Sequence, residues 1–392
     1  MKNLHSSRLS ELAQCSCFST ETGCAECFIT VRTPAGQTIG RALETLGAEY
    51  DNALGRMNLS DETMAFSRLF VSDYINQTEL LDASPVVERL RAGVLSVIEE
   101  KPVDGSPVAL LSYHVRGFGA ARLPERQNGG RGSVGRLQGR NYALLFTANH
   151  SDGGVFDAHR QTDIVFRDVN DVIERNGMKL LDNTIRTWIF VRDIDNHYEN
   201  MVRARREYFA DHGLTDRTRY LASTGIEGGG RSPEQLVTVD SLSIAPLAAG
   251  QIVRMETPTH MSSTLLYGVT FERGLRVRFG DRSHLHVSGT ASIDDKGAVL
   301  HVGDVVGQTR RAVENVRALL ADQQATLADL GYVICYVRNF HEWKLVEGVL
   351  EAEIGSSIPM VPVVAKVCRP SWLFELEGVA LVADQTAYAP FA

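Results

Sequence analysis

The chain has 392 residues, 44% of them hydrophobic, and carries a formal net charge of −8 at pH 7. This length and apolar content are enough for a large buried core and predict two or three domains or modules. The acidic balance argues against nucleic acid as a partner, because proteins that bind nucleic acid usually present a basic surface. Residues 1–14 contain no apolar segment of the signal-peptide type, and no run approaches membrane-spanning length, so we expect a cytoplasmic protein without a membrane partner.

Four of the six cysteines cluster near the N-terminus, at Cys15, Cys17, Cys24 and Cys27. Their spacing can suit zinc, but residues 26–34 continue directly as a β-strand pattern and no histidine lies nearby. The pattern favours reduced cysteines packed in a hairpin, since six cysteines in a chain of this length do not predict a disulfide framework. We expect no metal and no cofactor, and leave open whether these cysteines bind metal.

Three segments further along the chain repeat one pattern: an apolar, β-rich run, then a valine, a polar residue and a polar break. They span residues 66–77, 186–198 and 331–343, with the valine at Val71, Val191 and Val337. Internal self-similarity of this kind is typical of a chain built from repeated structural units.

Helical periodicity flanks each repeat, with apolar residues three and four positions apart. The helical patterns before the repeats cover 40–57, 168–184 and 306–323, and those after them cover 84–100, 199–213 and 341–353. Apolar strand patterns close each copy, at 106–115, at 234–244, and at 361–367 together with 372–382. The sequence therefore predicts an α+β protein of three similar modules, about 10–120, 140–245 and 260–390.

A sheet that carries helices on one face needs cover on its other face, and three such sheets can cover one another in a closed ring. The Gly- and Arg-rich segment 125–140 lies between the first two modules and is typical of a mobile linker. An ordinary surface loop is the favoured interpretation of this segment, and a lid over an active site is the alternative.

The last strand pattern, residues 372–382, combines apolar residues with two carboxylates. Because strand side chains alternate, Glu375 and Glu377 share one face, and Cys368 and Arg369 lie just upstream. One interpretation is a general acid whose pKa is raised by apolar neighbours. The other is a pair of glutamates that face solvent at a sheet edge, which the residues alone favour.

Residues 66–77, 288–320 and 374–382 resemble the Rid (YjgF-type) family, and the resemblance covers nearly the whole chain. It implies a chorismate-mutase-like fold and three Rid-like modules merged into a single-chain pseudo-trimer. Rid imine deaminases carry an arginine upstream of the closing glutamates, where this chain has Met360. This difference argues against imine deamination.

A narrower resemblance is to the chorismatases, which are Rid-related hydrolases of chorismate. Their closing pattern, a small residue or cysteine, an arginine, and then Glu-x-Glu-Gly, is matched by Cys368, Arg369, Glu375, Glu377 and Gly378. Further similar pieces lie at 221–230, 263–274, 288–292 and 303–308. The first 140 residues are much less similar.

The resemblance implies an enzyme that cleaves chorismate and releases pyruvate. It makes Glu375 the general acid that protonates the enolpyruvyl group, and Cys368 a second catalytic residue. The residues implied in substrate binding are Arg205, Tyr267, Arg273, Gly289, Arg369 and Glu377. Arginine suits the two carboxylates of chorismate, because its guanidinium fork donates two parallel hydrogen bonds to a carboxylate.

The pair of Gly289 and Cys368 is similar to the chorismatase branch that forms 3-hydroxybenzoate. The other branch has alanine and a small unreactive residue there and forms a dihydroxycyclohexadiene carboxylate. The exact product, 4-hydroxybenzoate included, and the pathway that it serves stay open. The segment 223–230 predicts a glycine-rich turn whose backbone N–H groups face an anion.

Each implied role has a structural alternative. Arg205 belongs to a helical run of arginines, and such a run is usually a solvated face. Tyr267 has core packing as its alternative, and Cys368 has the role of a small buried residue. Three roles stay open for Glu377: to hold water, to pair with an arginine, or to keep Glu375 protonated by repulsion between like charges.

Two other functions remain alternatives to chorismate cleavage. One is a Rid-type enamine or imine deaminase, and the other is a non-catalytic protein that binds chorismate or another small anion. In each case the partner is a small molecule rather than nucleic acid or membrane. We expect a monomer and leave further assembly into a homo-oligomer open.

Overall fold

A computed structural model describes residues 4–21, 23–119, 132–262, 264 and 268–392. In this part of the chain the strands form mixed sheets of six, five and seven strands. Long helices pack against one face of each sheet, and the opposite faces contribute to one shared core. The expected α+β class with three modules is confirmed.

The helices and strands fall into three consecutive units. The first contains β1 (Leu4–Arg8), β2 (Ala13–Ser19), β3 (Ala25–Arg32), α1 (Ile39–Met57), β4 (Met64–Val71), α2 (Tyr74–Asp82), α3 (Pro85–Leu90), β5 (Val94–Glu99), β6 (Lys101–Pro102) and β7 (Val108–Arg116). The second contains β8 (Ser133–Gln138), β9 (Ala143–Ser151), α4 (Ala158–Arg175), α5 (Leu180–Asn183), β10 (Thr184–Val191), α6 (Ile194–Asp211), β11 (Ala222–Glu227) and β12 (Val237–Ala245). The third contains β13 (Ile252–Met255), β14 (Gly274–Arg278), β15 (Arg282–Ala291), α7 (Val305–Asp322), β16 (Leu330–Val337), α8 (Trp343–Glu353), β17 (Met360–Val364) and β18 (Phe374–Ala383).

All three units share one sheet topology. Neighbouring strands run in the order β2-β3-β7-β4-β5, β8-β9-β12-β10-β11 and β14-β15-β18-β16-β17. One pair in each unit is parallel, namely β4 with β5, β10 with β11 and β16 with β17, and the other pairs are antiparallel. The repeated valines Val71, Val191 and Val337 each end the corresponding strand, β4, β10 or β16. The sequence repeat therefore marks an equivalent strand in each unit.

The units contact one another in cyclic order. Strand β5 lies against β8 and β9, β11 lies against β14 and β15, and β16 and β17 lie against β2 and β3. The short strand β6 also pairs with β17, so the first unit contributes a strand to the third sheet. This closed order is the expected single-chain pseudo-trimer.

Aromatic and charged residues meet where the inner faces of the sheets pack together. The ring of Phe66 lies 5.3 Å from that of Phe146 and 6.2 Å from that of Trp188. Across the boundary between the first two units, Arg68 Nη2 lies 2.8 Å from Asp240 Oδ2, and both side chains are buried. Because a buried charge needs a partner of opposite sign, this pair fixes which faces of the two sheets meet.

The helix predicted over 84–100 is wrong in its second half. Only Pro85–Leu90 is helical, and Val94–Glu99 forms strand β5. The run contains Val94, Val97 and Ile98, all buried, and it pairs in parallel with β4. Burial between two units favours the β-branched residues as a strand, so tertiary packing overrides the helical spacing.

The helix predicted over 168–184 is displaced. Helix α4 spans Ala158–Arg175, and Asp157 caps its first turn by accepting a hydrogen bond from the backbone N–H of Arg160. The chain leaves the helix at Gly177, whose φ of 72° lies in the left-handed region that favours glycine. The end of the predicted range, Leu180–Asn183, forms the separate short helix α5, and the next strand begins at Thr184.

The linker predicted over 125–140 is partly wrong. Residues 120–131 lie outside the described part of the chain, and Ser133–Gln138 forms β8 at the edge of the second sheet. Val134 and Leu137 pack into the two neighbouring cores, which explains why this segment pairs with β9 in spite of its glycines.

The expectation of reduced N-terminal cysteines is wrong for one pair. Cys17 on β2 and Cys27 on β3 lie directly opposite each other and form a disulfide. Cys15 and Cys24 are buried thiols. Among the described residues, no group of three or more His, Cys, Asp or Glu side chains has a geometry that suits a metal ion. In the same residues, no helix combines the length and apolarity needed to cross a membrane.

Candidate active site

A cavity of about 380 Å³ lies between the second and third units. Six of the residues implied by the sequence line it: Arg205, Arg273, Gly289, Cys368, Arg369 and Glu375. Glu377 is not among the described residues that line the cavity, and Tyr267 falls outside the described residues. The structure therefore brings together side chains that lie up to 170 positions apart in the chain.

Each wall of the cavity comes from a different unit. Helix α6 and strand β11 of the second unit form one wall. The other wall comes from β15, the start of β18 and the loops around them in the third unit. The residues of α6 that line the cavity recur at helical spacing. They are Tyr198, Glu199, Val202, Arg203, Arg205 and Arg206.

Glu375 is the second residue of β18, and only 5% of its surface is exposed. It lies opposite Ala291 of β15 and Tyr336 of β16. The pKa of Glu375 is raised to about 8, chiefly by burial and then by the charge of the nearby Glu377, while Arg186 and Arg273 oppose the shift. A carboxyl group with this pKa is still largely protonated at neutral pH and can donate its proton to a bound molecule. The exposed edge favoured by the residues alone is wrong for Glu375.

Glu377 lies behind the cavity wall in a shell of hydrogen-bond donors. Its Oε2 atom is 2.5 Å from Arg186 Nη2, and its Oε1 atom accepts a hydrogen bond of 2.8 Å from Trp188 Nε1. Thr224 Oγ1 also donates to Oε2. With 1% of its surface exposed, Glu377 pairs with an arginine rather than facing solvent. Substrate contact by Glu377 stays a prediction.

Three buried or partly buried guanidinium groups face the cavity. Arg205 Nε donates a hydrogen bond of 3.2 Å to Thr270 Oγ1, and its Nη2 atom has no hydrogen-bond partner in the described part of the chain. Arg273 donates to the carbonyl oxygen of Ser262 through Nε at 3.3 Å and Nη2 at 3.1 Å. Burial lowers the pKa of Arg205, which nevertheless carries a positive charge at neutral pH. The solvated-face alternative is wrong for Arg205, which is 2% exposed.

Arg369 supplies the third guanidinium group. It stacks over the ring of Trp372, with 4.8 Å between its Cζ atom and the ring centroid, and donates to the carbonyl oxygen of Gly297 at 3.3 Å. Stacking of this kind holds a planar guanidinium in one orientation. Together with Arg205 and Arg273, it makes the cavity suitable for an anion with more than one carboxylate.

Cys368 and Tyr198 form a hydrogen-bonded pair in the same cavity. The pKa of the Cys368 thiol is raised to about 12, chiefly by burial and then by the charge of Glu375, so the thiol is protonated at neutral pH. Sequence reasoning missed Tyr198. Its spacing of seven residues from Arg205 would place both side chains on one face of a helix, but the predicted helical pattern began one residue later, at 199.

Gly289 leaves the space that the Glu375 carboxyl group occupies. A Cβ atom at this position would lie 2.4 Å from Glu375 Oε1 and 3.0 Å from Thr224 Cγ2. The pairing of β15 with β18 shifts register between Val287 and Thr290, so Gly289 sits in an irregular stretch. Any side chain here must displace the carboxyl group.

The glycine-rich turn predicted over 223–230 is wrong in its first half. Ala222–Glu227 forms β11, which pairs in parallel with β10, and Ser223, Thr224 and Gly225 line the cavity as strand residues. Sequence reasoning also missed Arg186 and Trp188. They lie in an apolar repeat segment, and no local pattern links that segment to Glu377.

Comparison with known proteins identifies relatives of this chain. The family model "Endoribonuclease L-PSP" matches residues 277–382. A RutC family protein from Pyrococcus abyssi is 30% identical over 98 residues, which are 24% of this chain and 76% of that protein. This chain belongs to the Rid (RutC) family.

Two further relatives of this Rid chain come from Streptomyces hygroscopicus. A 3-hydroxybenzoate synthase is 25% identical over 227 residues, 51% of this chain and 64% of that protein. A chorismatase is 25% identical over 219 residues, 50% of this chain and 60% of that protein. The chain thus spans less than two thirds of the length of these two relatives.

A solved crystal structure of a chorismatase has the same overall fold as this Rid chain. The TM-score is 0.64 at 18% sequence identity, and the match covers 90% of this chain and 98% of that one. At this identity the likeness shows the fold alone. The likeness in fold covers nearly all of the chain, beyond the residues 277–382 that the family model matches.

Proposed function

We propose that the chain cleaves chorismate, releases pyruvate and forms 3-hydroxybenzoate, with Glu375 as the general acid. The observation that carries this proposal is the buried Glu375, whose pKa is raised to about 8, in a cavity that also holds Arg205, Arg273 and Arg369. An acid that is protonated at neutral pH and several fixed positive charges match a dianionic enol ether.

In the proposed reaction the arginines bind the two carboxylates of chorismate. The protonated Glu375 transfers its proton to the terminal methylene carbon of the enolpyruvyl group, and the adjacent carbon becomes oxocarbenium-like. An oxygen nucleophile adds to this carbon, the ether bond breaks, and pyruvate leaves. The nearby Glu377, fixed by Arg186, keeps the proton on Glu375 until the substrate accepts it.

The product depends on which oxygen captures the oxocarbenium-like carbon. Capture by water adds one water molecule and gives the dihydroxycyclohexadiene carboxylate. Capture by the ring hydroxyl group of the substrate forms a cyclic ketal. The ring C–O bond to that hydroxyl oxygen then breaks with loss of a proton from the adjacent ring carbon, and opening of the ketal releases 3-hydroxybenzoate and pyruvate, which together contain the same atoms as chorismate. Cys368 stands in the cavity as a protonated thiol bonded to Tyr198, and we propose that it relays a proton during aromatisation.

We further propose that the three units are the modules predicted at about 10–120, 140–245 and 260–390. We also propose that the active form is a cytoplasmic monomer with a small-molecule substrate. Among the described residues, both walls of the cavity come from one chain, which supports a monomeric active form. Light scattering during gel filtration measures the mass in solution. A larger assembly that dissociates with loss of activity would contradict the monomer.

Incubation of the purified protein with chorismate tests the function. We expect stoichiometric pyruvate, measured by coupled reduction to lactate, and 3-hydroxybenzoate, identified by chromatography against standards. Release of ammonia from an enamine substrate, without pyruvate from chorismate, would support a Rid-type deaminase instead. Binding of chorismate without turnover would support a non-catalytic anion-binding protein.

A further inference from the structure

The hydroxyl group of Thr224 holds three partners at the boundary between the second and third units. It donates a hydrogen bond to Glu377 Oε2 and accepts one of 2.5 Å from Arg186 Nη2. It also accepts a hydrogen bond of 2.9 Å from the backbone N–H of Gly289. A threonine hydroxyl has one donor and two acceptor lone pairs, so this group is fully used.

These partners connect the strands that carry the site. Thr224 lies on β11 with 1% of its surface exposed, and Arg186 on β10, Gly289 on β15 and Glu377 on β18 surround it. The bond to Gly289 falls in the stretch where the register of β15 against β18 shifts. Thr224 therefore anchors the irregular backbone that the carboxyl group of Glu375 packs against.

The methyl group of Thr224, like its hydroxyl group, lies close to Gly289. Its Cγ2 atom is 3.0 Å from the position that a Cβ atom of Gly289 would take, and Glu375 Oε1 is 2.4 Å from that position. Thr224 and the carboxyl group of Glu375 therefore both pack closely around Gly289. A shift of the Gly289 backbone would therefore also move the surface against which the Glu375 carboxyl group packs.

We propose that Thr224 is a positioning residue, whose hydroxyl group couples the Arg186–Glu377 ion pair to the backbone of Gly289 and so sets the place of the Glu375 carboxyl group. The proposal rests on the function proposed above, since it assigns Glu375 the proton transfer. It does not require Thr224 to touch the substrate.

Two substitutions separate the hydroxyl from the methyl group. Thr224→Val keeps the shape and removes the hydroxyl, which leaves the N–H of Gly289 and one oxygen of Glu377 without this partner. Thr224→Ser keeps the hydroxyl and removes the methyl. Thr147→Val is the matched control, because Thr147 is a buried threonine of the same unit that bonds Ser241 at 2.7 Å, outside the cavity.

Three readouts test the role. We expect Thr224→Val to lower kcat for pyruvate release roughly 10- to 100-fold with little change in KM, because a small misplacement of a reacting group mainly affects the transition state. Hydrogen exchange of the Gly289 amide should become faster. The infrared titration of Glu375, identified by difference from Glu375→Gln, should move to higher pH, because a positive hydroxyl dipole beside the two carboxyl groups is lost.

The conservative variant and the control decide between positioning and general stability. Thr224→Ser should recover most of the lost kcat and the original titration of Glu375, and Thr147→Val should show neither change. Equal losses of kcat in Thr224→Val and Thr147→Val at equal stability would overturn the positioning role. An unchanged titration and unchanged kcat in Thr224→Val would also overturn it.

The infrared and exchange measurements do not depend on turnover. If the parent protein releases no pyruvate from chorismate, the proposed function fails. The link from Thr224 to Glu375 is then supported by a shifted titration in Thr224→Val, or overturned by an unshifted one. If pyruvate is released and Thr224→Val matches the parent protein in all three readouts, the proposed function stands and the inference fails.

Discussion

Glu375 and Glu377 lie two residues apart on β18, yet their surroundings differ. Glu375 faces the cavity, where burial raises its pKa to about 8. Glu377 faces inward, where Arg186, Trp188 and Thr224 all donate hydrogen bonds to it. In such a pair of carboxyl groups in unequal environments, the one with the raised pKa is suited to give a proton.

Changing Glu375 to Gln tests the acid directly. Glutamine preserves the shape but has no proton to transfer, so kcat for pyruvate release should fall roughly 100-fold or more, with a much smaller change in KM. Glu351→Gln, on the exposed side of α8, is the matched control. Retained turnover in Glu375→Gln would remove this residue from the mechanism.

The raised pKa of Glu375 also predicts the pH dependence of the reaction. The protonated form is the active one, so it dominates below pH 8 and disappears above it. We expect kcat/KM to be level on the neutral side and to fall roughly tenfold per pH unit on the alkaline side. A rate profile followed from pH 6 to 10 measures this limb, and a profile without a fall above pH 8 would contradict the assignment.

Gly289 and Cys368 should control the product. A methyl group on residue 289 would lie 2.4 Å from Glu375 Oε1 and must displace it, and alanine at 368 removes the thiol from the cavity wall. The double variant Gly289→Ala/Cys368→Ala should therefore form the dihydroxycyclohexadiene carboxylate in place of 3-hydroxybenzoate, and still release pyruvate. Chromatography of the mixtures decides it, with Gly348→Ala on α8 as the control for an added methyl group. An unchanged product would show that these positions do not select the route.

At the scale of helices and strands, the sequence predicts an element best where local pattern and packing agree. The repeated apolar runs that end at Val71, Val191 and Val337 are strands. Both faces of each strand are buried, so each run is apolar along its length. Residues 94–99 have helical spacing in the sequence, but their burial between two units makes them strand β5. The spacing of apolar residues along the chain does not show that a segment will be buried between two units.

The candidate site divides in the same way. Glu375, Cys368, Arg205 and Arg273 carry recognisable chemistry in the sequence, and the structure places them around one cavity. The donors around Glu377 come from strands more than 150 residues away, and their contacts depend on how the units pack. Side chains whose role is set by contacts between units leave no local signal.

The ion pair between β10 and β18 should stabilise the contact between the second and third units. Arg186→Met leaves Glu377 buried without its charged partner, and the free energy of unfolding should fall by about 3–5 kcal/mol. The double variant Arg186→Met/Glu377→Leu removes both charges and should recover most of that loss. Urea unfolding measures the difference, with Lys344→Met, from an exposed ion pair on α8, as the control. Equal stability of Arg186→Met and the parent protein would contradict the structural role of the pair.

At the scale of the whole molecule, the three units share a topology but differ in chemistry. Val71 pairs with Val108, Val191 with Val237 and Val337 with Phe374, so the next residues, Ala109, Thr238 and Glu375, are equivalent. Only the third unit has a carboxylic acid at this position. Three like units in one chain allow such divergence, because a substitution in one unit leaves the amino-acid sequence of the other two unchanged.

The equivalence of Ala109, Thr238 and Glu375 predicts the stoichiometry of substrate binding. The arginines face the cavity beside Glu375. A smaller cleft of about 100 Å³ between the third and first units is lined by Glu347 and Glu351 beside its arginines. These carboxylates repel a dianion, so that cleft should not bind chorismate. Calorimetric titration of the inactive Glu375→Gln variant with chorismate should therefore give one molecule bound per chain. Arg369→Met, which lacks one guanidinium group of the cavity, should bind more weakly at the same stoichiometry, whereas two or three equal sites per chain would show that the units have kept equivalent clefts.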